Sequence, residues 1–422
     1  MNILIIGSGA REHTFAWKIA QSPLCQHLFI APGNGGTGLV GENIEIDISD
    51  FQEIKKQIIT QNIDLVLVGP EAPLVAGIQD FLKNDADCKN VIVIGPSSEG
   101  AKLEGSKSFA KEFMQEFGIP TAQYQSFTKE KINEGLAFLA SMPGPYVLKA
   151  DGLAAGKGVI ILSSLEEAKE SFKNMLNGQF GDASKTVVIE EFLDGIEFSV
   201  FVLTDGSEYI ILPEAKDYKR IGEGDTGLNT GGMGSISPVS FVNEKLRQQV
   251  EETIIKPTIK GIQSRGIDYT GFIFFGLICV GNTPYVIEYN CRMGDPETEV
   301  VIPRIKSDLV NILSSAGTHQ ISKLQLEVNS SHACCVMLVS GGYPEAYAKG
   351  KQISGHENKI DSLLFHAGTK IKDNNLLTNG GRVMAVCSFG NNMADALETS
   401  YKNSEQIEFE GKYLRSDIGF DL

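Results

Sequence analysis

The sequence predicts a chain of several domains in which an α/β unit is followed by α+β units, and three observations carry that expectation. In the first hundred residues, short apolar runs at Ile3 to Ile6, Leu28 to Ala31, Asp64 to Val68 and Val91 to Ile94 are separated by stretches long enough for helices. That is the spacing of βαβ units in a parallel, Rossmann-like sheet. From Tyr146 the runs come in pairs across short gaps, the pattern of antiparallel strands. From His332 a last unit opens, with an Asn379-Gly380 turn ahead of Val383 to Cys387. At 422 residues, and with roughly 150 residues per domain, two to four domains are expected.

The elements follow in order. After the four runs, the organisation changes near Glu104. Phe109, Phe113 and Phe117 recur every four residues along one helix face, and Gly118 with Pro120 supplies the stop. Three strand pairs are then expected: Tyr146 to Lys149 with Val159 to Leu162, Val187 to Glu190 with Glu197 to Leu203, and Gly271 to Val280 with Tyr285 to Asn290. A polar stretch near Val328 precedes the final unit, and the chain contains neither an internal repeat nor a low-complexity segment.

Composition narrows the function. Lys and Arg total 37 against 53 Asp and Glu, a net charge of -16, which argues against broad electrostatic binding to nucleic acid or an anionic membrane. An anionic ligand must find a local cationic pocket. The 45 glycines exceed the usual share of roughly 7%. Seven cysteines without a Cys-x-x-Cys pair suggest a reducing compartment, and adjacent Cys334 and Cys335 read as buried thiols. No run reaches the roughly 18 apolar residues of a membrane span. A soluble, unprocessed, cytoplasmic protein is expected.

Five segments are candidates for chemistry. Gly7-Ser8-Gly9-Ala10-Arg11-Glu12-His13 follows a strand and precedes a helix, as a phosphate-binding turn should. Glu12 stands where the third glycine of a dinucleotide fingerprint belongs, and the second strand ends Phe29-Ile30-Ala31-Pro32-Gly33-Asn34 without the ribose-binding acid, so NAD is not expected. The turn amides remain candidates for a single phosphate with Arg11 assisting; the alternative is a tight turn needing glycine for geometry alone. Lys149-Ala150-Asp151-Gly152-Leu153-Ala154-Ala155-Gly156-Lys157-Gly158 is not a P-loop. Its glycines are one residue too close, and Gly158 replaces the Ser or Thr that would meet magnesium. It leads into a strand, which makes it a hairpin flap able to cover phosphates. Lys107 begins the phenylalanine-striped helix, an unfavourable place for a cation unless an anion binds there.

Glu190, ending one strand, and Glu197, beginning the next, flank a bend whose unpaired backbone groups suit an adenine edge. Glu288, Asn290 and Arg292 share a strand face if the strand continues that far. A carboxylate and an amide oxygen are hard ligands suited to magnesium, and Arg292 could grip a carboxylate or phosphate in bidentate fashion. Lys216-Asp217-Tyr218-Lys219-Arg220, followed by the glycine-rich stretch from Asp225 to Gly234, is a basic cluster that could supply the local positive pocket. Each segment alone could be an ordinary turn, strand face or exposed loop.

In this order the segments resemble an ATP-grasp ligase, and more narrowly the glycinamide ribonucleotide synthetase (phosphoribosylamine-glycine ligase) family of purine biosynthesis. The resemblance rests on Gly7 to His13, Val68 to Leu74, Leu103 to Lys107, Lys149 to Gly158, Asn229 to Gly234, Asn290 to Arg292, Gly294 to Thr298 and Phe365 to Thr369, and spans essentially the whole chain. It implies a Rossmann-like domain over 1–103, an ATP-grasp domain over 104–327 with a mobile subdomain over about 121–190, and a C-terminal α+β domain over 328–422. It further implies ligation of glycine to 5-phosphoribosylamine through glycyl phosphate, at the expense of ATP, with Mg2+ or Mn2+. The partners are then small molecules, with no nucleic acid or membrane, for a stand-alone monomeric enzyme.

The resemblance also implies residue roles. Glu288 and Asn290 hold the metal; Lys107 and Lys149 meet the ATP phosphates, covered by Asp151, Gly152, Gly156, Lys157 and Gly158. Glu190, Glu191, Phe192, Leu193 and Glu197 hold the nucleoside. Arg292, Lys149, Asp217 and Asp295 serve the reacting glycine and acyl phosphate. Gly9, Arg11, Gly33, Asn34, Gly35, Glu71, Lys219, Arg220, Gly231 and Gly232 face the substrates. Leu228, Ile196, Met293 and Glu299 replace the family's usual Pro, Glu, Phe and Gln. Two alternatives stand beside this reading: another ATP-grasp carboxylate-amine ligase of purine metabolism, or a non-catalytic nucleotide-binding module.

Overall fold

A computed structural model describes residues 1–154, 157–358 and 360–422. The first strands are β1 (Asn2–Gly7), β2 (His27–Pro32), β3 (Glu42–Asn43), β4 (Leu65–Val68) and β5 (Ile92–Ile94), all parallel in the order β3-β2-β1-β4-β5. The four expected runs are therefore its main strands. Ile3 to Ile6 and Leu65 to Val68 are buried on both faces, which is why these runs are continuously apolar rather than alternating. Strand order reverses at β1, so the loops after β1, β2 and β4 open together at the carboxyl edge, where open α/β sheets bind ligands. Those loops carry Gly9, Gly33 to Gly36 and Glu71.

The phenylalanine-striped helix forms as Lys107–Glu116, with the Ser106 hydroxyl accepting from the Phe109 amide at 3.2 Å. Phe113 is fully buried, and the Arg265 guanidinium lies 5.1, 5.2 and 5.9 Å from the rings of Phe109, Phe113 and Phe117. Gly118 takes φ +65°, ending the helix in the left-handed region.

A four-stranded antiparallel sheet follows, from β6 (Tyr124–Thr128), β7 (Tyr146–Ala150), β8 (Val159–Leu162) and β9 (Thr186–Glu191), ordered β6-β9-β7-β8. Helices Ile132–Ser141 and Leu165–Asn174 give it a core of its own around Phe127, Leu139, Leu148, Phe172 and Ile189. β10 (Ile196–Thr204) then leaves this sheet, passing through β11 (Tyr209–Ile211), β12 (Lys216–Asp217), the hairpin β13 (Arg220–Gly222) and β14 (Thr226–Asn229), and β15 (Gly234–Ser237). With β16 (Gly271–Val280) and β17 (Thr283–Asn290) it makes the antiparallel sheet β11-β10-β16-β17.

Two of the three expected strand pairs form: β7 with β8, and β16 with β17. The pairing of Val187 to Glu190 with Glu197 to Leu203 does not. β9 stays with β6 and β7, while β10 joins β11 and β16. Gly195 explains the exit, since it packs so closely on the Cys279 carbonyl that a Cβ there would collide. The bend thus crosses between two sheets.

The remaining strands are β18 (His332–Val339), β19 (Leu363–His366), β20 (Thr369–Lys372), β21 (Asn375–Thr378) and β22 (Arg382–Gly390). β12 and β15 from mid-chain complete the sheet β12-β15-β18-β22-β19, covered by helix Met393–Ser404. β20 and β21 make a hairpin whose two turn residues, Asp373 and Asn374, both take positive φ, 50° and 61°. This is the primed-turn chemistry that favours such residues. Asn379-Gly380 instead links β21 to a different sheet. Cys334, Cys335 and Cys387 are buried free thiols, and among the described residues no helix is long and apolar enough to cross a membrane.

The first helix, Ala10–Ile19, ties the two ends of the chain together. His13 Nδ1 accepts the His366 amide at 2.8 Å, and the two rings lie 5.4 Å apart. Burial depresses His13 to about 4 and His366 to about 3. A histidine whose folded pKa lies below its unfolded value contributes stability above about pH 6.5 and loses it as the pH falls, because the unfolded chain takes up the proton first. We expect His13 to cost on the order of 2 kcal/mol between pH 7 and pH 5. Thermal unfolding of H13N, whose amide oxygen can still accept from His366, should depend visibly less on pH over that interval than the wild type.

Candidate active site

The bend between β9 and β10 and the strand β7 build one end of a cleft. Glu190, at 3% exposure, receives two ammonium groups on the same oxygen: Lys149 Nζ at 3.0 Å and Lys111 Nζ at 2.9 Å from Oε2. Lys149 also donates to the Ile287 carbonyl at 3.3 Å, and Lys111 to Thr121 Oγ1 at 2.8 Å. Burial works against the Glu190 anion, but Lys149 and Lys111 hold its pKa below the ordinary value. Glu191 is turned away, its carboxylate accepting from the Gln123 amide at 2.8 Å, while Phe192 is exposed and Leu193 half-buried on the bend.

Lys107 Nζ lies 3.5 Å from the Gly152 carbonyl at the flap base. Burial pulls its pKa down, opposed by Glu288 and reinforced by Lys149. The Asp151 carboxylate is engaged by the Ser108 amide at 2.7 Å and by the hydroxyls of Ser106 and Ser108. It therefore caps the helix that carries Lys107 and anchors the flap rather than reaching over it. Gly158 accepts from Ala150 at 2.7 Å and Lys157 is exposed. Gly156, expected in the flap, lies outside the described residues.

Beside the lysines, Glu288 and Asn290 lie two residues apart at the end of β17, both partly exposed to the cleft. Lys219 Nζ stands 3.2 Å from Glu197 Oε2 and 3.9 Å from Glu288 Oε1, joining the nucleoside bend to the candidate metal strand. Burial alone would depress Lys219, but Asp217, Glu197, Glu288 and Glu297 hold its ammonium well above the ordinary value. Burial raises Asp217 in turn, against Lys219. Among the described residues no group of three or more His, Cys, Asp and Glu is arranged to hold a metal alone. One carboxylate and one amide oxygen fit a hard cation that keeps water or substrate phosphates as its other ligands.

β17 ends at Asn290, so Arg292 does not share its face. Arg292 turns instead toward the first domain, with Nη2 2.7 Å from Glu104 Oε1 and Nε 3.4 Å from Glu71 Oε2. Glu104 also accepts from the Cys291 amide at 2.8 Å and thiol at 3.1 Å. Burial raises the Glu104 pKa against the pull of Arg292. At half-buried Glu71, burial works against the anion, and Arg292, with help from Arg11, outweighs it.

A cavity of about 780 Å³ lies between the carboxyl edge of the first sheet and the last sheet, lined by Gly9, Gly33, Asn34 and Asp295 together with Lys370 and Arg382. Arg382 Nη1 is 3.0 Å from Asp295 Oδ1 and donates to the Asp295 and Gly231 carbonyls at 2.6 Å. The Gly231 amide is not free for a ligand, since it donates to the Tyr343 hydroxyl at 2.9 Å. Gly232, at φ +117°, lets the loop close on Pro296. Gly35 donates to the Thr369 carbonyl at 3.2 Å. Arg220 points away, donating to the Gly227 carbonyl at 2.8 Å.

The structure corrects the expectation that the Gly7–Gly9 turn offers free amides with Arg11 beside them. Glu12 Oε2 accepts the Gly9 amide at 2.6 Å, Arg11 Nε donates to Glu12 Oε1 at 2.6 Å, and Arg11 Nη1 donates to the Met293 carbonyl at 3.1 Å. A side-chain carboxylate thus fills the place a phosphate would take, and a Cβ on Gly7 or Gly69 would collide with it.

Lys111 and Arg382 were missed. Lys111 sits four residues after Lys107, one helical turn on, and that spacing was the available signal. Arg382 reaches Asp295 from 87 residues away, with no local signal. Glu299 is fully buried without a hydrogen-bond partner for either oxygen among the described residues, and burial, reinforced by Asp295, raises its pKa well above the ordinary value. A glutamate there has nearly the shape of the family's usual Gln. Met293 packs in the core, offering its carbonyl to both Arg11 and Arg292.

Comparison with known proteins accords with this geometry. Family models for phosphoribosylglycinamide synthetase match along the chain: the N domain over residues 1–104, the ATP-grasp (A) domain over 105–298 and the C domain over 333–421. A phosphoribosylamine–glycine ligase from Vibrio parahaemolyticus is 44% identical over 426 residues, covering 100% of this chain and 98% of its own. The crystal structure of a phosphoribosylamine–glycine ligase from Thermotoga maritima superposes with TM-score 0.86 at 36% identity, covering 99% of this chain and 100% of that one. The biotin carboxylase domain of 2-oxoglutarate carboxylase from Hydrogenobacter thermophilus, solved with ADP and magnesium, shares the fold at TM-score 0.71 and 16% identity over 98% of this chain and 91% of that one. With its three domain matches in order and a relative of this identity along its full length, the chain belongs to the phosphoribosylglycinamide synthetase family.

Proposed function

We propose the residue roles by which this chain, as a member of that family, performs the ATP-dependent ligation of glycine to 5-phosphoribosylamine, yielding glycinamide ribonucleotide, ADP and phosphate. The observation that carries the assignment is Lys219, within 3.2 Å of Glu197 and 3.9 Å of Glu288. One side chain thereby brings the nucleoside bend and the metal strand into a single cleft, next to Lys107 and Lys149.

In this reading the ATP phosphates lie against Lys107 and Lys149 under the flap, and the base and ribose lie along Glu190, Leu193 and Glu197. Glu288 and Asn290 hold Mg2+ or Mn2+, which when bound offsets phosphate charge. Phosphoryl transfer demands positioning and charge neutralisation more than a protein nucleophile, and these cations provide both. The glycine carboxylate takes the γ-phosphoryl group near Arg292 and Asp217. The amine of phosphoribosylamine then attacks the acyl carbon, and phosphate leaves. Excluding water protects that acyl phosphate, which gives the flap its purpose. Phosphoribosylamine occupies the 780 Å³ cavity, a volume suited to a small ligand, with its phosphate toward Lys370 and Arg382. The chain acts as a cytoplasmic monomer, in keeping with seven free thiols; elution near 45.7 kDa tests the monomer.

The test is an omission assay of ADP release with ATP, magnesium, glycine and phosphoribosylamine generated in situ. Release should require all four. Turnover that ignores glycine but depends on another carboxylate would overturn the substrate assignment.

A further inference from the structure

The two ammonium groups on Glu190 leave its other oxygen bare. Lys149 and Lys111 both meet Oε2, at 3.0 and 2.9 Å, while Oε1 is buried and has no hydrogen-bond partner among the described residues. A buried carboxylate oxygen left unpaired is costly, so this oxygen is built to accept from a donor that arrives with a ligand. The residue roles assigned above do not include Lys111. It is 2% exposed, lies a helical turn from Lys107, and is held by Thr121, whose hydroxyl donates in turn to the Val286 carbonyl at 2.7 Å. Thr121 and Val286 thereby fix Lys111 from the strand that leads to Glu288.

We propose that Lys111 is a positioning residue for recognition of the nucleotide base: clamped by Thr121, it fixes Oε2 of Glu190 so that Oε1 remains a single oriented acceptor at the base end of the ATP site. This rests on the ATP site assigned above. An acceptor in that place favours a base presenting an amine, as adenine does. It disfavours one presenting a carbonyl oxygen at the same edge, as guanine does, because two acceptors would face each other without a proton. Lys149 cannot do this alone. It is shared with the Ile287 carbonyl and with the phosphate end of the cleft. Removal of Lys111 frees the carboxylate to rotate and to exchange its two oxygens.

The experiment compares wild type, K111M and K111R for the KM of ATP, kcat, and kcat/KM for ATP against GTP, with ADP and GDP binding measured by calorimetry. For K111M we expect the KM of ATP to rise about tenfold, kcat to stay within about threefold, and the preference for ATP over GTP to fall about tenfold. K111R should recover part of both shifts, and the KM of glycine should not move. An unchanged KM and ATP-to-GTP ratio in folded K111M overturns the proposal while leaving the ATP site intact. A wild type that binds neither ADP nor ATP overturns the site itself. Should K111M fail to fold, T121V, which removes only the hydroxyl clamp, must shift the same two quantities at least threefold; no shift overturns the proposal.

Discussion

Lys149→Met should lower the rate of ADP formation about a hundredfold or more while leaving the protein folded. The size follows from the site: the lysine is 5% exposed, and a preorganised charge in a dry cleft supplies stabilisation that water cannot replace, typically about a hundredfold or more per group. The fold survives because Lys111 still holds Glu190 Oε2 at 2.9 Å. Methionine fills the vacated stem volume with little strain. Lys149→Arg should not rescue turnover, since a planar fork replaces a compact point charge between Glu190 and the Ile287 carbonyl. The check is steady-state ADP release beside a thermal unfolding curve. Turnover within about threefold of wild type, in a folded variant, would make the charge role untenable. The two lysines share one oxygen of Glu190 yet should separate cleanly, Lys149 through kcat and Lys111 through the KM of ATP.

Local periodicity made much of this molecule legible before the structure. The parallel sheet was readable because buried strands give continuous apolar runs, and the helix at Lys107 because Phe109, Phe113 and Phe117 mark one face. Glu288 and Asn290 were readable because strand alternation puts them together. What failed depended on where the chain goes next. Glu190 and Glu197 are close enough in sequence to suggest a hairpin, but only the contact of Gly195 with Cys279 reveals that the bend crosses sheets. Arg415, fully buried between Asp225 and Asp417 and stacked on Tyr218, reaches Asp225 from 190 residues away and gave no sign in the sequence. The Gly7–Gly9 turn was half legible. Its glycines mark a close approach, but what approaches is the carboxylate of Glu12 rather than a phosphate.

Arg292 carries the other large expected effect, because it is both the cation assigned to glycine and the partner of a buried carboxylate. Arg292→Met should reduce glycine-dependent turnover about a hundredfold or more. It should also destabilise the fold by about 3–5 kcal/mol, the usual cost of removing one member of a buried pair. Glu104 would remain buried with only the Cys291 amide and thiol as partners. Its pKa, already raised by burial, would rise further once the guanidinium is gone, so part of the penalty would be relieved by proton uptake and the variant should be less destabilised at lower pH. The two consequences can be separated. Adding Glu104→Gln removes the orphaned charge and should recover most of the lost stability without recovering turnover. Arg292→Lys should retain the charge but cannot span Glu104 and Glu71 as the fork does, so activity should stay low while stability returns in part. Measured together by denaturant unfolding and ADP release, a double variant R292M/E104Q that regained both would mean that Arg292 supports the fold alone and that glycine is held elsewhere.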